Sequence, residues 1–211
     1  MLWFWGRSTS IWSRQSNDSR HPVRLAEQGI DVYGVRVLPD VAGENTIVVV
    51  PGANAEVGNG ECDALDLHAG DVLVLQQEVP AAAVRAAARI GREAGCTVLL
   101  TPSPWRGRDA ELFGDCDLLI VNEAEAEQLR ATGYDLSRAV VTAGADGAKW
   151  GDLQVSGESV TPVDTTGSGD AFTDALAAAL SAGTGRCAAL ELAVHAGSQA
   201  VLHEGAQPWP F

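Results

Sequence analysis

Lysine is almost missing from this chain of 211 residues. Lys149 stands alone, and lysine with arginine makes 14 basic side chains against 28 acidic ones, a formal net charge of −14. A nucleic-acid partner is not expected, because phosphate neutralisation takes a clustered basic face and none is evident. Charge is also uneven: residues 1–24 carry Arg7, Arg14, Arg20 and Arg24 against Asp18 alone, so the remaining body is more acidic than the total suggests. Cysteine is also scarce: Cys62, Cys96, Cys116 and Cys187 form no C-x-x-C pair and have no histidine at ligand spacing. Neither a zinc site nor a disulfide framework is expected, and reduced thiols in a cytoplasmic protein are. No run reaches the roughly 18 apolar residues of a membrane helix, so no membrane partner is expected, and the apolar opening breaks at Arg7 before a signal-peptide core develops. What is plentiful is apolar: 46% of residues are hydrophobic and 20% charged. That excludes a disordered chain and suffices for a core without disulfide or metal staples.

Residues 1–22 hold three of the six tryptophans and no sustained period of 2 or 3.6, so no structure is assigned to them. Residues 31–38 alternate weakly, and Gly43-Glu-Asn45 turns into the apolar run Thr46-Ile-Val-Val-Val50; the pair reads as a hairpin or strand pair. After Pro51 the pattern changes. Short apolar strands at 72–75, 97–100, 117–121 and 139–142 alternate with helices at 81–94 and 123–132. A β-excursion across 149–163 follows, and then two alanine-rich helices at about 169–182 and 186–203. Continuous apolar strands separated by helices predict an α/β fold: a mostly parallel sheet flanked by helices on both faces. Ligands in such sheets bind beyond the carboxyl ends of the strands, so chemistry is sought just after Leu75, Leu100, Val121 and Thr142.

The strongest motif is Val163-Asp-Thr-Thr-Gly-Ser-Gly-Asp-Ala-Phe172, a glycine-rich turn opening into a helix. The first N–H groups of a helix lack intrahelical acceptors, so the Gly167, Ser168 and Gly169 amides offer an anion hole. Asp170 falls in the first turn, where the helix dipole favours a carboxylate available as a base. Together these point to phosphoryl transfer onto a hydroxyl that Asp170 deprotonates. Two other phosphate motifs fail: Phe172 stands where G-x-G-x-x-G needs glycine, and Lys149 is not preceded by glycine, so there is no Walker A loop. Asn122 and Glu125 at a helix start read most simply as a capping box. Glu78, a lone acid after a strand, reads as solvated, and His195 as a packed or surface histidine.

The stretch Asp164-Thr-Thr-Gly-Ser-Gly-Asp-Ala-Phe172 resembles the signature of the PfkB, or ribokinase-like, carbohydrate kinases. Supporting matches follow in order: Gly43-Glu-Asn-Thr-Ile47 with Gly52-Ala-Asn-Ala55, Leu75-Gln-Gln-Glu-Val-Pro80, Asn122-Glu-Ala-Glu125, Thr142-Ala-Gly-Ala-Asp-Gly147 and Gly205-Ala-Gln-Pro208. They are most similar to the ribokinase branch. The resemblance covers 24–211, a partial kinase domain, and leaves 1–23 as a non-matching, poorly ordered segment. It implies ATP as co-substrate and a sugar as acceptor, D-ribose giving ribose 5-phosphate, with Asp170 as catalytic base and Glu78 on the sugar. ATP would be bound by Asn122, Thr142, Gly144, Gly147 and Gly169. Mg²⁺ would be positioned through water by Asn122 and Glu125, and a K⁺ ion by Asp164, Thr166, Ala200, His203 and Gly205.

Departures from the pattern shape the remaining expectations. The family's first strands, sugar-binding Asp and Gly-Gly lid have no counterpart, a second gap falls near 38–42, and the text stops before the last family helix. Thr101 stands where Asn is usual, and Trp209 where Ser would complete the cation site. Without lid and first strands the sugar loses half of its contacts, so Asp170 and the anion hole are expected to be weak catalysts alone, and a homodimer built on the lid is not assured. Two alternatives stay open. One is a non-catalytic nucleotide-binding remnant or the product of a frameshifted or mis-started gene; the other is a kinase for another sugar or a nucleoside.

Overall fold

In the computed structural model, residues 9–13, 46–50, 52–58, 62, 66–107 and 109–203 are described. The chain divides into two compact units, Gly6–Glu56 and the rest. In the smaller unit, β1 (Thr9–Ser13) pairs antiparallel with β2 (Thr46–Val50), Ile11 opposite Val48, and a 3-10 turn follows at Gly52–Glu56. The strand expected at 46–50 is present, but its partner is 9–13, to which the sequence pattern assigned no structure. Local alternation cannot reveal a partner so distant in the chain, because ladder hydrogen bonds join backbones. The expected strand at 31–38 lies outside the described residues.

The larger unit is built on a six-stranded sheet in sequential order, β3 to β8. Its first four strands, β3 (Val72–Gln76), β4 (Thr97–Thr101), β5 (Leu118–Asn122) and β6 (Ala139–Thr142), run parallel. The crossovers carry α1 (Ala81–Ala94), the short α2 (Ala110–Asp115) and α3 (Glu123–Ala131). An antiparallel pair, β7 (Ala148–Trp150) and β8 (Leu153–Val155), extends the sheet. Then come α4 (Ser168–Ser181) and α5 (Arg186–Ala200). The β-excursion is thus shorter than expected, and the last helix stops at Ala200 with Val201 as its cap. The six-residue α2 escaped sequence reading because it is too short to display a period. Asp109 caps it, accepting from the Leu112 amide at 3.1 Å while bonded to Arg85 at 2.7 Å.

Inside the uniformly apolar strands, the two-residue repeat still sorts side chains to opposite faces. Leu73, Leu75, Val98, Leu100, Leu119 and Val121 pack with α1, α2 and α3 in one buried core. Val72, Leu99, Leu118, Ile120 and Val140 pack with α4 and α5 in the other. The sheet is therefore covered on both faces, as its apolar strands required. All of its parallel strands end on one side, and that edge is left to polar residues. No described helix is long and apolar enough to cross a membrane.

Candidate active site

Along the carboxyl edge of the sheet, Gln76 stands opposite Thr101, and Asn122 opposite Thr142. The loops that follow these residues and the start of α4 carry most of the residues singled out by sequence.

Gly167 has φ of 81°, a left-handed conformation that a side chain would strain, and α4 begins at the next residue. The amide of Ser168 is turned back to the Thr165 carbonyl at 3.3 Å. Of the expected amide set, Ser168 therefore does not point outward. Among the described residues the first-turn amides of Gly169 and Asp170 are left without an acceptor, as the opening of a helix requires. The small Gly197 lets α5 approach this turn: a Cβ built there would lie 3.4 Å from the Ser168 carbonyl oxygen.

The carboxylate of Asp170 accepts a hydrogen bond from Gln76 Nε2 at 3.4 Å. Desolvation pushes its pKa up, and the Gln76 amide partly offsets this. Asp174, one helical turn further on, is pushed up to about 6, first by burial and second by the charge of Asp170. A proton is thus held more tightly by both carboxylates than by free ones. Glu78 sits in the turn two residues past Gln76, exposed and on the same edge.

The end of β6 leads into a compact loop. Thr142 Oγ1 donates to the Val121 carbonyl at 3.3 Å, a 3-10 turn covers Gly144–Asp146, and the Ala143 amide closes onto the Gly147 carbonyl at 2.8 Å. Gly147 has φ of 93°, and a Cβ there would stand 2.1 Å from the Val155 carbonyl oxygen, so loop and hairpin end are in backbone contact.

Asn122 and Glu125 form the capping box that their spacing predicts. Asn122 Oδ1 accepts from the Glu125 amide at 2.8 Å, and Glu125 Oε2 accepts from the Asn122 amide at 3.0 Å. Asn122→Ala removes the cap and is expected to cost about 1 kcal/mol of stability, measured by urea unfolding.

Asp164 is buried, and the amides of Val163 and Asp164 both donate to the Val201 carbonyl, at 2.7 and 3.1 Å. Asp164 Oδ1 accepts from the Thr166 amide at 2.9 Å. These bonds tie Asp164 and Thr166 to the end of α5, where Ala200 is the last helical residue and His203 lies in the turn beyond. Gly205 is outside the described residues. His195 pairs with Glu158, Nδ1 to Oε1 at 2.6 Å, consistent with the surface reading.

A cavity of about 1210 Å³ opens between α3 and the β7–β8 hairpin, lined among others by Arg130, Asp146, Lys149 and Arg186. It contains neither Asp170, Gln76 nor Asn122, and both signs of charge share its wall. The convergent groups at the strand ends, not this volume, mark the candidate site.

A family profile described as pfkB family carbohydrate kinase matches residues 23–210, nearly the whole chain. The chain belongs to the pfkB family of carbohydrate kinases. Within the family it is 32% identical over 178 residues to a ribokinase of Bacillus subtilis (strain 168), covering 78% of this chain and 61% of that one. It is 33% identical over 151 residues to a deoxyribokinase of Salmonella typhi, covering 61% of this chain and 49% of the relative. Among solved structures it resembles the Arabidopsis thaliana ribokinase complexed with ribose and ATP, with a TM-score of 0.65, 27% identity, and coverage of 78% and 61%. The chain thus spans less than two thirds of the length of these relatives.

The structure brings two residues to Asp170 that sequence reading missed. Gln76 lay within the quoted Leu75-Gln-Gln-Glu-Val-Pro80 match, yet only Glu78 was given a role; the signal available was its place at a strand end. Asp174 carried a plainer signal, an acid four residues after Asp170 in a helix otherwise rich in alanine and leucine.

Proposed function

We propose that this pfkB-family chain is an ATP-dependent sugar kinase that phosphorylates the primary hydroxyl of a pentose, D-ribose giving ribose 5-phosphate. One observation carries the reading: Asp170 opens α4 next to unspent helix amides and is held by Gln76 from the end of β3. In this mechanism the sugar hydroxyl loses its proton to Asp170 as its oxygen bonds to the γ-phosphorus and the bond from that phosphorus to the ADP oxygen breaks. A base whose pKa lies above that of an ordinary aspartate takes that proton more readily. The Gly169 amide, with Gly167 beside it, meets the negative charge of the moving phosphoryl group. The 142–147 loop, with Thr142, Gly144 and Gly147, and Asn122 hold the nucleotide, and Glu78 accepts from a sugar hydroxyl.

Asn122 and Glu125 suit a magnesium ion held through water, because the capping box engages the single side-chain oxygen of Asn122 and one of the two of Glu125, leaving Glu125 Oε1 to accept from a metal-bound water; among the described residues no cluster of three His, Cys, Asp or Glu occurs. When bound, such an ion neutralises phosphate charge. Asp164, Thr166, Ala200 and His203 suit K⁺, a hard cation, through the buried Asp164 carboxylate, the Thr166 hydroxyl and backbone carbonyl oxygens; Gly205 completes the proposed set from outside the described residues. The names of the relatives support a pentose. Because a deoxyribokinase stands among them, they support that class more broadly than ribose itself.

The test is ADP release by the purified chain with ATP, Mg²⁺ and K⁺, in the presence of ribose or deoxyribose. Sugar-dependent release that Asp170→Asn loses is the expected result, and equal rates for the two proteins would sink the catalytic claim. Calorimetric titration with ATP then identifies a nucleotide-binding remnant, which would bind without turnover.

A further inference from the structure

We propose that Asp174 is a positioning residue for the reaction: its negative charge, one helical turn behind Asp170, strengthens Asp170 as the base. This rests on the kinase reading above. Residues four apart on a helix share a face, and like charges there repel. Asp174 Oδ1 is buried and has no hydrogen-bond partner. It lies beyond the first turn of α4, so the helix dipole does little to neutralise it.

Among the described residues nothing facing it supplies a cation. On α4 the only other ionisable side chain is Asp170. α4 packs most closely on α5 and β3 and shares its core with the other sheet strands; β3 to β6 carry no ionisable group, and Lys149 of β7 lines the cavity beside α3. On α5, Arg186 lies over the Trp150 ring at 4.5 Å and donates to the Trp150 carbonyl, Cys187 is bonded to Glu191, and His195 is bonded to Glu158. Among the described residues the charge of Asp174 is therefore uncompensated, and Asp170 is the group placed to feel it. During transfer Asp170 passes from anion to neutral acid, which relieves the repulsion. The relief is present only in the protonated product of the proton transfer, and so acts on the chemical step rather than on binding.

The test is a carbon-13 carboxyl titration by NMR on the aspartate-labelled chain, wild type beside Asp174→Asn. In wild type the Asp170 signal is expected to move in two steps, the second following Asp174 near pH 6. In Asp174→Asn it moves once, at lower pH. In the ADP-release assay Asp174→Asn is expected to lower kcat roughly three- to tenfold with KM for ATP unchanged. The loss is full above pH 6 and fades below it, where wild-type Asp174 is itself protonated. A single Asp170 step at the same pH in both proteins overturns the proposal, as does a kcat loss that ignores pH. Should Asp174→Asn fail to fold, the wild-type titration decides alone: two steps support the coupling and one step refutes it. An inactive wild type counts against the kinase reading only, since the titration needs no turnover.

Discussion

Asp170→Asn is expected to reduce sugar-dependent ADP release by roughly a thousandfold, within the range that a positioned general base contributes. The substitution keeps size and shape and removes the atom that takes the proton. The amide can still meet Gln76, whose side chain carries both a donor and an acceptor. Folding should not suffer. Desolvation pushes Asp170 up, so its ionised form is favoured less in the folded chain than in the unfolded one. By linkage, such a group helps the fold below its unfolded pKa, and that help is lost as pH rises through its folded pKa. Above its unfolded pKa the desolvated carboxyl therefore weighs against the fold, so at neutral pH Asp170→Asn should leave the thermal midpoint unchanged or raised. Turnover within a few-fold of wild type would remove Asp170 from the mechanism. A drop in turnover together with a lower midpoint would show instead that the residue serves the structure.

Gly147→Ala should cost about 3 kcal/mol in urea unfolding, by two additive routes. The first is backbone strain, because φ at 93° lies where L side chains rarely go. The second is a clash: the new Cβ would meet the Val155 carbonyl oxygen at 2.1 Å and the Gly157 nitrogen at 2.5 Å, and backbone cannot swing aside like a side chain. Gly183 isolates the first route, since it has φ of 75° with nothing within 4 Å of an added Cβ. Gly183→Ala should cost only about 1 kcal/mol. If the two variants unfold at the same urea concentration, the close docking of the 143–147 loop on the hairpin end is wrong. ATP affinity should fall with Gly147→Ala and hold with Gly183→Ala, because only the first displaces the loop that follows Thr142.

Much of the architecture was legible because its cause is local. The strand cores of β3 to β6 are runs of β-branched residues and leucine, readable without knowing their neighbours. The capping box at Asn122 and Glu125 is a short-range exchange of hydrogen bonds, so spacing alone located it. Gly167 and Asp170 were found the same way, since a glycine turn and a first-turn acid lie within four residues of each other. The misses have the opposite character. The partner of β2 lies more than thirty residues away, and no periodicity encodes that pairing. The Ser168 amide was counted toward an anion because a helix start leaves amides free, whereas the observed turn spends that one on Thr165.

By itself the sequence determined the class of fold, the family and the motif from which Asp170 comes, because composition, period and contiguous motifs express interactions over a few residues. Tertiary structure decided what surrounds that aspartate. Folding brings Gln76 to its carboxylate from 94 residues away. It ties Asp164 to the end of α5 through Val201, and it buries Asp174 Oδ1 with no cation facing it among the described residues. A carboxylate becomes a base of a given strength through charge, burial and hydrogen bonds over a few ångströms of space, and those neighbours are chosen by the packing of the sheet rather than by order along the chain.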